Sequence, residues 1–425
     1  MTIELVNTGS ELMLGRVLNT HQQWLCGRFA DLGRTVTRQV AVPDGSADIE
    51  RAVREGLSRA DLVVTTGGLG PTCDDITRER IAALLGLALH HDPAVEAQIR
   101  SYFTGRGRPV PERTKVEAMV PDGALVLPNR HGTAPGLALK VSPNPFREGG
   151  RASWLVMLPG PPRELRPMFD TEVVPLVERE FPMEGGFACR TLKTTGLGES
   201  YMEELIAGPL KSLTDAGMDL GFCARVGEVD VRFVARGADA AHVVAEAERI
   251  TRSLADRYVF GEQDDTLEAV LVRELSARRQ TLSLAESCTG GHVANRITNV
   301  PGASAVLTAG FVTYANAAKV AVLGVPESVL REHGAVSETT ARAMAEGARR
   351  AGASDWAVSA TGIAGPGGAT PGKPVGTVFV AIAGPDGTEA FHQVNAFDRE
   401  TFKYITAQQA MSRLLRRIRT GGLSA

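Results

Sequence analysis

Residues 62–75 read Leu62-Val63-Val64-Thr65-Thr66, then Gly67-Gly68-Leu69-Gly70-Pro71-Thr72, then Cys73 and the pair Asp74-Asp75. The first five residues predict a short buried strand, and the glycines predict a turn into a helix from Asp75 to Leu85. Apolar strands that alternate with helices are typical of a parallel sheet with right-handed crossovers. This stretch therefore places the first third of the chain in the α/β class.

The same alternation extends to both sides of this stretch. The loop from Ser142 to Arg151 is rich in Pro, Gly and Asn and is predicted to be exposed. Together these segments predict an N-terminal domain with a parallel or mixed sheet over residues 1–180. Its other predicted strands are Ile3 to Val6, Val36 to Val42 and Trp154 to Leu158, and its other predicted helices are Val17 to Asp31, Ala47 to Arg59 and one that ends near Glu180.

The pattern changes over residues 181–262, where two strand runs flank Gly227 and a helix follows from Asp239 to Asp256. This order predicts a small α+β module with a hairpin turn at Gly227. Residues 263–425 return to alternation and predict a C-terminal α/β domain. Its predicted strands are Thr281 to Ala285, Ala309 to Tyr314, Trp356 to Ala360, Val375 to Ile382 and Ala390 to Val394, and its last helix starts at Arg399.

Composition excludes several classes of protein. A chain of 425 residues needs two or three domains, and its net charge of −3 gives no reason to expect a nucleic-acid partner. The five cysteines form no CxxC pair, which argues against a zinc knuckle and suits a reducing compartment. No signal peptide and no apolar stretch of membrane-spanning length is found. We therefore expect a cytoplasmic protein with no membrane partner.

Four residues of the C-terminal domain predict nucleophilic chemistry without a metal. Ser287 follows a predicted strand, Ser304 lies in a glycine-containing turn, and Tyr314 and Lys319 come shortly after. A serine hydroxyl becomes a nucleophile when a base removes its proton, and an uncharged lysine can be that base. Each serine alone would be read as a helix cap, and the lysine as a solvated charge. The four together favour a catalytic site.

Several motifs in this order resemble the CinA family (competence/damage-inducible protein A). The resemblance covers nearly the whole chain. It implies an N-terminal molybdopterin-binding-like domain and a C-terminal nicotinamide mononucleotide deamidase domain, which is an amidohydrolase of pyridine-nucleotide salvage. A homodimer is also expected. The motifs are NTGSELMLG and TTGGLGPTCDDIT in the first domain, and ESCTGG, GASA, FVTYANAAK, HGAVSE and TGIAGP in the last.

The resemblance implies roles for single residues of the C-terminal site, with no cofactor. Lys319 would be the base, Tyr314 would relay the proton, and Ser304 is favoured over Ser287 as nucleophile, with Ser287 as ligand or proton partner. Backbone amides near Gly290-Gly291 or Gly302 would hold the oxyanion. Cys288 is a rival nucleophile, because a thiolate is more reactive than a hydroxyl. The expected substrate-binding residues are Thr289, Gly290, Thr361, Gly362, Gly365 and Arg399.

Two loops of this domain concern phosphate. The run from Thr361 to Gly368 follows a predicted strand, and its glycines would let backbone amides approach an anion. Gly367 to Lys373 fits the first part of a P-loop pattern, but Pro374 replaces the Ser or Thr that would hold magnesium, so we reject an ATP-binding loop. Before Arg399 the family has Gly-Asp-Arg, whereas this chain has Phe397 in place of the glycine.

The N-terminal domain offers a second site at its glycine-rich turn. Gly67, Gly68 and Thr72 would bind phosphate, since ligands of open α/β sheets bind at the carboxyl ends of the strands. Asp74 and Asp75, with Glu11 from another strand end, would hold a divalent cation against that phosphate. The alternative is that the aspartates are only helix caps. The resemblance links this domain to ADP-ribose pyrophosphate hydrolysis, and the related fold also binds pterins.

Three hypotheses follow from the sequence. The first is an amidohydrolase acting on nicotinamide mononucleotide, and the second is a metal-dependent phosphoanhydride hydrolase acting on ADP-ribose, which can coexist with the first. The third is a non-catalytic nucleotide- or pterin-binding protein whose sites have decayed, and the altered Phe397 keeps that alternative open.

Overall fold

The computed structural model describes residues 1–183 and 185–421. These residues form two compact units, Met1–Gly185 and Gly186–Ala425. The first unit has one large sheet and a small two-stranded ribbon, and the second has two sheets. Strands and helices alternate in the first unit and in the C-terminal part of the second. The predicted α/β class is therefore confirmed, with an α+β module between.

The large sheet of the first unit has six strands in the order β2-β1-β3-β8-β7-β6. Strands β2, β1, β3 and β8 are parallel, and β7 and β6 pair antiparallel at one edge, so the sheet is mixed. β4 and β5 form the separate ribbon. The strands are β1 Ile3–Thr8, β2 Val36–Val42, β3 Leu62–Thr66, β4 Leu89–His91, β5 Met119–Pro121, β6 Leu125–Leu127, β7 Gly136–Val141 and β8 Ser153–Leu158.

Strands β1, β3 and β8 are buried along their whole length, because helices cover both faces of this sheet. Strands that are buried on both faces read as continuous apolar runs, which is why the sequence revealed them. A π-helical turn at Phe169–Val173 joins the last two helices, and a 3₁₀ segment covers Glu112–Ala118. The helices are α1 Ser10–Met13, α2 Thr20–Asp31, α3 Ser46–Arg59, α4 Thr77–Leu85, α5 Pro93–Thr104, α6 Pro162–Met168 and α7 Val174–Glu180.

The strand order opens a crevice at the carboxyl ends of β1 and β3. The chain passes from β1 to β2 on one side and then to β3 on the other. The loops that follow β1 and β3 therefore leave the sheet in different directions, which is the usual place for a ligand in this class of fold.

Three predictions in this unit need correction. The helix predicted from Val17 starts at Thr20, because the Asn19 side chain accepts a hydrogen bond from the Gln22 amide and caps it. The helix predicted from Asp75 starts at Thr77. The loop from Ser142 to Arg151 is not wholly exposed: Asn144 is fully buried, and its amide donates to the Leu57 carbonyl and to Ser153 Oγ.

The second unit begins with a four-stranded antiparallel sheet in the order β10-β11-β9-β12. β10 and β11 pair from Asp219 to Val234, and Gly227 lies in the tight turn between them with φ of 79°, so the predicted hairpin is confirmed. The elements are β9 Phe187–Thr195, α8 Glu199–Asp215, β10 Asp219–Arg225, β11 Glu228–Arg236, α9 Ala240–Ala255 and β12 Val259–Glu262.

The C-terminal sheet has five strands in the order β14-β13-β15-β16-β17. β14, β13 and β15 are parallel, and β16 and β17 form an antiparallel hairpin at the edge. The elements are α10 Leu267–Arg278, β13 Leu282–Glu286, α11 His292–Thr298, β14 Leu307–Val312, α12 Asn316–Leu323, α13 Glu327–His333, α14 Glu338–Ala351, β15 Trp356–Gly362, β16 Thr377–Gly384, β17 Gly387–Val394 and α15 Arg399–Thr420.

The predicted boundary near residue 262 lies inside the second compact unit. The Gln408 side chain of α15 donates to Glu228 of β11 at 2.7 Å, and a Cβ placed on Gly227 would lie 3.1 Å from Gln408 Cγ. The middle module and the C-terminal domain are therefore packed together at the hairpin. The division into three domains, with boundaries after residues 180 and 262, stays a prediction.

Candidate active sites

The turn after β13 carries Ser287 at the carboxyl edge of the C-terminal sheet. β13 lies between β14 and β15 and is parallel to both, so the loops after these strands meet at one edge. The Ser287 amide donates to the Ala360 carbonyl at 2.9 Å, and Gly290 and Gly291 turn the chain with φ of 62° and 93°. Glycine adopts such angles without a steric penalty. The turn therefore holds Ser287 in a defined position before α11.

Lys319 on α12 is buried against this turn, with only 1% of its surface exposed. Its Nζ lies 3.1 Å from Ser287 Oγ, 2.7 Å from the Thr313 carbonyl oxygen and 3.2 Å from the Tyr314 carbonyl oxygen. Burial lowers the pKa of Lys319, because the ammonium loses its hydration. An uncharged amine can give its two N–H groups to the two carbonyls, which leaves its lone pair facing the Ser287 hydroxyl. This arrangement suits a nucleophile and its base.

Ser304 is not brought to Lys319, and the predicted pairing of these two residues is not formed. Ser304 is exposed in a 3₁₀ turn before β14, whereas Lys319 comes after the end of that strand. A six-residue strand at about 3.3 Å per residue separates the two ends by roughly 20 Å. The sequence showed two serines near one lysine but not that β14 lies between one of them and the lysine. Ser287 therefore replaces Ser304 as the candidate nucleophile.

Tyr314 contacts Lys319 through its backbone and not through its hydroxyl. Its side chain is 63% exposed, and the Tyr314 hydroxyl accepts a hydrogen bond from Arg399 Nη2 at 3.0 Å. Arg399 Nη1 also donates to the Gly365 carbonyl at 2.7 Å. The predicted relay from Tyr314 to Lys319 is therefore not in place in this structure. Tyr314, Arg399 and Gly365 instead form a hydrogen-bonded rim beside the Ser287–Lys319 pair.

Glu286 is a buried carboxylate of this site that sequence reasoning missed. It is 2% exposed and accepts hydrogen bonds from the backbone amides of Gly291, Val293 and Ala294 at 3.0, 3.1 and 2.8 Å. These are the free N–H groups at the start of α11, which a carboxylate stabilises. The Gly291 amide is thus occupied, and Gly302 lies beside Ser304 at the distant end of β14. The Gly290 amide donates to the Ser287 carbonyl at 3.2 Å, so the amides of Gly290 and Gly291, which were expected near the oxyanion, both have partners in this structure.

Cys288 is buried and is a poor candidate for the nucleophile. Its side chain is 5% exposed, and burial raises the pKa of the thiol to about 12. The thiolate is the reactive form, and it is scarce near neutral pH at such a pKa. The adjacent Thr289 is fully buried, and its hydroxyl has no hydrogen-bond partner among the described residues. Thr289, two residues after Ser287 in the chain, therefore has a buried hydroxyl without a hydrogen-bond partner among the described residues.

The loop after β15 is held mainly by internal contacts. The buried hydroxyl of Thr361, near the end of β15, donates to the Ala335 carbonyl at 2.7 Å, which ties the strand end to the segment before α14. A Cβ on Gly362 would lie 2.6 Å from the Thr377 carbonyl, so this glycine is required by the close approach of β16. Gly365 has φ of 74°, and its carbonyl faces Arg399. Thr361 and Gly362 therefore make contacts that hold this segment in place, and Gly365 accepts a hydrogen bond from the predicted site residue Arg399.

Lys403 adds a second cation near Arg399. An ideal Cβ on Gly290 would lie 3.8 Å from Lys403 Nζ, which places this ammonium beside the turn after Ser287. A cavity of about 780 Å³ is lined by both cations, by four other residues of α11 and α15, and by Val226 at the tip of the β10–β11 hairpin. Two cations beside an open cavity suit an anionic group such as a phosphate. The spacing of Arg399 and Lys403, four residues apart at a helix start, was the available sequence signal.

Two doubtful features of the sequence have simple structural explanations. Lys373 is followed by strand β16, whereas the lysine of a P-loop is followed by a helix. Its Nζ donates to the His333 carbonyl at 3.2 Å. Phe397 replaces a family glycine, yet its backbone is not in the left-handed region that favours glycine. The altered residue therefore causes no backbone strain beside Arg399.

The N-terminal candidate site is a cavity of about 530 Å³ at the carboxyl ends of β1, β3 and β8. Its walls include the glycine-rich turn, the short helix α1 with Glu11, and the Pro159 to Pro162 segment. A Cβ on Gly67 would lie 2.7 Å from the Thr8 carbonyl, and one on Gly68 would lie 2.0 Å from Thr77 Oγ1. These glycines therefore let the turn pack against β1 and α4 while it borders the cavity.

Asp74 and Asp75 are both held by Thr72. The Thr72 hydroxyl contacts both carboxylates, and the Thr72 amide donates to Asp75 Oδ2 at 2.9 Å. The hydrogen bond from Thr72 lowers the pKa of Asp74. In the described residues no three acidic, His or Cys side chains lie close enough to hold a metal ion, so Glu11 does not complete a cation site with them. The two aspartates alone fit a cation only where a substrate phosphate supplies further oxygens.

Two buried carboxylates also border this cavity and were missed from the sequence. Glu117, in the 3₁₀ segment before β5, and Glu164, on α6, are both buried and both line it. A Cβ on Gly132 would lie 2.0 Å from Glu164 Oε2, so the chain passes close over this side chain. Neither residue belongs to a recognisable motif, because the fold alone brings them beside the glycine-rich turn.

Three family models match this chain in series. They are described as "Probable molybdopterin binding domain" over residues 4–179, "Damage-inducible protein CinA KH domain" over 189–261, and "CinA C-terminal domain" over 264–418. A CinA-like protein of Akkermansia muciniphila is 45% identical over 97% of this chain and 96% of its own length. One from an Anaeromyxobacter species is 44% identical over 97% and 98%.

Solved structures match the chain over shorter lengths. The competence/damage inducible protein CihA from Agrobacterium tumefaciens is 39% identical, covers 35% of this chain and 92% of its own, and has a TM-score of 0.34. A competence-damaged protein (CinA) superfamily protein from Escherichia coli is 32% identical, covers 38% and 97%, and has a TM-score of 0.35.

The middle module matches a KH-domain model, but its sequence lacks the loop that such domains use to clamp nucleic acid. That loop has the pattern GxxG, and no two glycines within residues 189–261 are three positions apart. In the part of the chain that the structure describes, no helix is long and apolar enough to cross a bilayer.

Proposed function

Since this chain belongs to the CinA family, we propose that its C-terminal domain is an amidohydrolase that converts nicotinamide mononucleotide to nicotinate mononucleotide and ammonia. The observation that carries this proposal is the contact of 3.1 Å between Lys319 Nζ and Ser287 Oγ. A serine beside a buried lysine of lowered pKa can attack an amide without a metal.

The reaction follows from this pair. Ser287 Oγ attacks the carboxamide carbon, and its proton passes to the uncharged Lys319. Lys319 then gives a proton to the nitrogen, the C–N bond breaks, and ammonia leaves an acyl ester on Ser287. Water attacks that ester, and Lys319 takes a proton from it. The C–O bond to Ser287 then breaks, Lys319 returns the proton to Ser287 Oγ, and the acid leaves and ionises to the carboxylate. The positive pyridinium ring withdraws electrons from the carboxamide, and its charge favours the neutral form of the lysine.

Other residues of the site position the substrate. Arg399 and Lys403 would bind the phosphate of the nucleotide, because both are cations that border the same cavity. The unpartnered hydroxyl of Thr289 would donate to the oxyanion in place of the occupied amide of Gly291. Exposed Tyr314 would orient Arg399 through the hydrogen bond that joins them.

The proposal is tested with three variants assayed for ammonia release from nicotinamide mononucleotide. We expect Ser287→Ala to lose at least roughly a thousandfold in kcat, and Ser304→Ala and Cys288→Ala to remain near wild type. Ser304→Ala is the matched control, since it removes the same hydroxyl from the far end of β14. An inactive Ser304→Ala together with an active Ser287→Ala would reject the assignment, and no ammonia from wild type would reject the function.

We propose as a second activity that the N-terminal domain cleaves ADP-ribose to AMP and ribose 5-phosphate. This proposal is supported by the cavity of about 530 Å³, which lies beside a glycine-rich turn and is bordered by carboxylates. Asp74 and Asp75 would hold a divalent cation together with the pyrophosphate. The cation would neutralise phosphate charge, and these two carboxylates would anchor it. Release of AMP from ADP-ribose, with and without chelator, tests this activity.

A further inference from the structure

Glu117 lines the N-terminal cavity, and one of its two carboxylate oxygens has no hydrogen-bond partner among the described residues. The residue is 1% exposed and lines the cavity, and its Oε1 accepts a hydrogen bond from the Thr133 hydroxyl at 3.0 Å. Its Oε2 has no hydrogen-bond partner among the described residues. A buried polar atom without a partner is costly, and native structures retain such atoms mainly where a ligand, a water molecule or chemistry uses them.

The charged groups around Glu117 keep it ready to accept a proton near neutral pH. The pKa of Glu117 is raised to about 7, mainly by burial and in smaller part by the nearby carboxylates of Glu164 and Asp75. The hydrogen bond from Thr133 and the buried cation of Arg78 act in the opposite direction. A general base works best when its pKa lies near the working pH, because it is then ionised and still basic enough to take a proton.

Glu117 differs from Glu164, the other buried carboxylate that lines the cavity, in the hydrogen-bond partners of its oxygens. Glu164 Oε2 accepts a hydrogen bond from the Asn129 side chain at 2.8 Å, and the same Asn129 amide also donates to the Ala134 carbonyl at 2.8 Å. Glu164 is thus tied into the cavity wall. Asp74 and Asp75 are tied to Thr72. Glu117 therefore combines burial, an unused oxygen and a place in the cavity wall.

We propose that Glu117 is the general base of the N-terminal site, where it takes a proton from the water that attacks a phosphoanhydride. This inference rests on the second activity proposed above. As water attacks, its O–H bond breaks and the proton goes to Glu117 Oε2, while the water oxygen bonds to phosphorus. The P–O bond of the anhydride breaks, and the leaving phosphate monoester carries away the electron pair. The products from ADP-ribose are AMP and ribose 5-phosphate.

The first experiment compares wild type with Glu117→Gln in ADP-ribose cleavage over pH 5 to 9. The glutamine keeps the shape of the side chain but accepts no proton, so we expect kcat to fall by at least roughly a hundredfold with KM little changed. The rising limb of the wild-type pH profile should be absent in the variant. Far-UV circular dichroism and the melting temperature establish that the variant is folded.

Two further variants should shift the rising limb of the pH profile of ADP-ribose cleavage in opposite directions, and both keep Glu117. Thr133→Val removes the hydrogen bond that lowers the Glu117 pKa, so the limb should move to higher pH. Glu164→Gln removes a negative neighbour, so the limb should move to lower pH. A residue with a merely structural role would give neither shift, and this pair of variants decides the assignment even if Glu117→Gln does not fold.

The outcomes separate this inference from the activity on which it rests. Wild type without ADP-ribose cleavage at any pH rejects the second activity and the general base together. Wild-type cleavage with an equally active Glu117→Gln rejects Glu117 alone. A Glu117→Gln variant that recovers when more divalent cation is added identifies Glu117 as a metal ligand, which also overturns the proposal.

Discussion

The two candidate sites share one local pattern, an apolar strand followed by a glycine-containing turn and a helix, yet they use the carboxylates of that pattern differently. In the C-terminal domain Glu286 lies at the strand end, is buried, and accepts three backbone hydrogen bonds from α11. In the N-terminal domain Asp74 and Asp75 follow the turn, are bonded to Thr72, and border an open cavity. The shared pattern locates a site, but the position of the carboxylate determines its chemistry.

The comparison also shows that the two sites carry different ionisable groups. Glu286 is taken up by the helix, and the C-terminal site is left with the buried Lys319, whose pKa is lowered, and with Arg399, Lys403 and Glu400 beside the cavity. The N-terminal cavity instead collects acidic side chains, and burial raises the pKa of Glu117 to about 7. The first site suits a substrate with a phosphate, and the second suits a phosphate that arrives with a cation.

The largest expected effect is that of Lys319→Met. The variant keeps the length and much of the volume of the side chain but removes the base, so ammonia release should fall by at least roughly a thousandfold. Lys403→Met is the matched control, because Lys403 lies at the rim and should mainly raise KM. A folded Lys319→Met protein with wild-type kcat would remove the basis for a serine–lysine mechanism.

The next prediction concerns Asp75 and acts on the other site. Asp75→Asn removes a negative charge from the proposed cation site, so ADP-ribose cleavage should fall by roughly a hundredfold, as it should when wild type is treated with chelator. Added divalent cation should restore chelated wild type. Ammonia release should be unchanged in both experiments. If Asp75→Asn cleaves ADP-ribose normally, the two aspartates only shape the turn at Thr72.

The sequence predicted the fold class and most elements, because the buried strands are continuous apolar runs with glycine turns behind them. Strands β1, β3 and β8 are fully buried and were found for that reason. The starts of α2 and α4 were placed two to three residues too early, since the segments before both helices belong to the cavity loops. Local patterns do not show where such loops give way to a helix.

The candidate sites were predicted less well than the fold. Ser287, Lys319 and Arg399 were identified from motifs, but the expected pairing of Ser304 with Lys319 is not formed, because nearness in sequence hid the length of β14. Glu286 and Glu117 were missed for another physical reason. Whether a carboxylate caps a helix or faces a cavity depends on contacts made across the sheet, and those contacts have no short-range pattern.

A third prediction tests the role of Glu286 in holding α11. Glu286→Ala leaves three backbone amides without their acceptor, so the free energy of unfolding should fall by about 3 kcal/mol. Chemical denaturation followed by circular dichroism measures this loss. Glu286→Gln is the control, since it keeps one acceptor oxygen and should lose less. Equal stability of wild type and Glu286→Ala would show that water replaces the carboxylate at the helix start.

The pH dependence of ammonia release should report the Lys319 pKa. Burial lowers that pKa, so kcat should rise as pH increases and level off below 10.5, the ordinary value for lysine. Between the lowered pKa and 10.5 the unfolded chain binds more protons than the folded one. Stability should therefore rise with pH in that window, and the rise should be absent in Lys319→Met. A kcat that falls as pH increases through this range would contradict a neutral lysine as base.

The smallest expected effect is that of cysteine alkylation on ammonia release, because the two sites differ in the exposure of their cysteines. Cys73 lies in the N-terminal turn between Thr72 and Asp74 and is exposed, whereas Cys288 is buried and its thiol has a pKa raised to about 12. Iodoacetamide should therefore label Cys73 and leave Cys288 unmodified in the native protein, as peptide mass spectrometry can measure.

ADP-ribose cleavage should decline as Cys73 is labelled, and Cys73→Ser should prevent that decline. Ammonia release should stay within roughly twofold of its starting value, because no reactive thiolate takes part there. If ammonia release is lost in proportion to labelling of Cys288, the Cys288 thiol would instead be a candidate nucleophile.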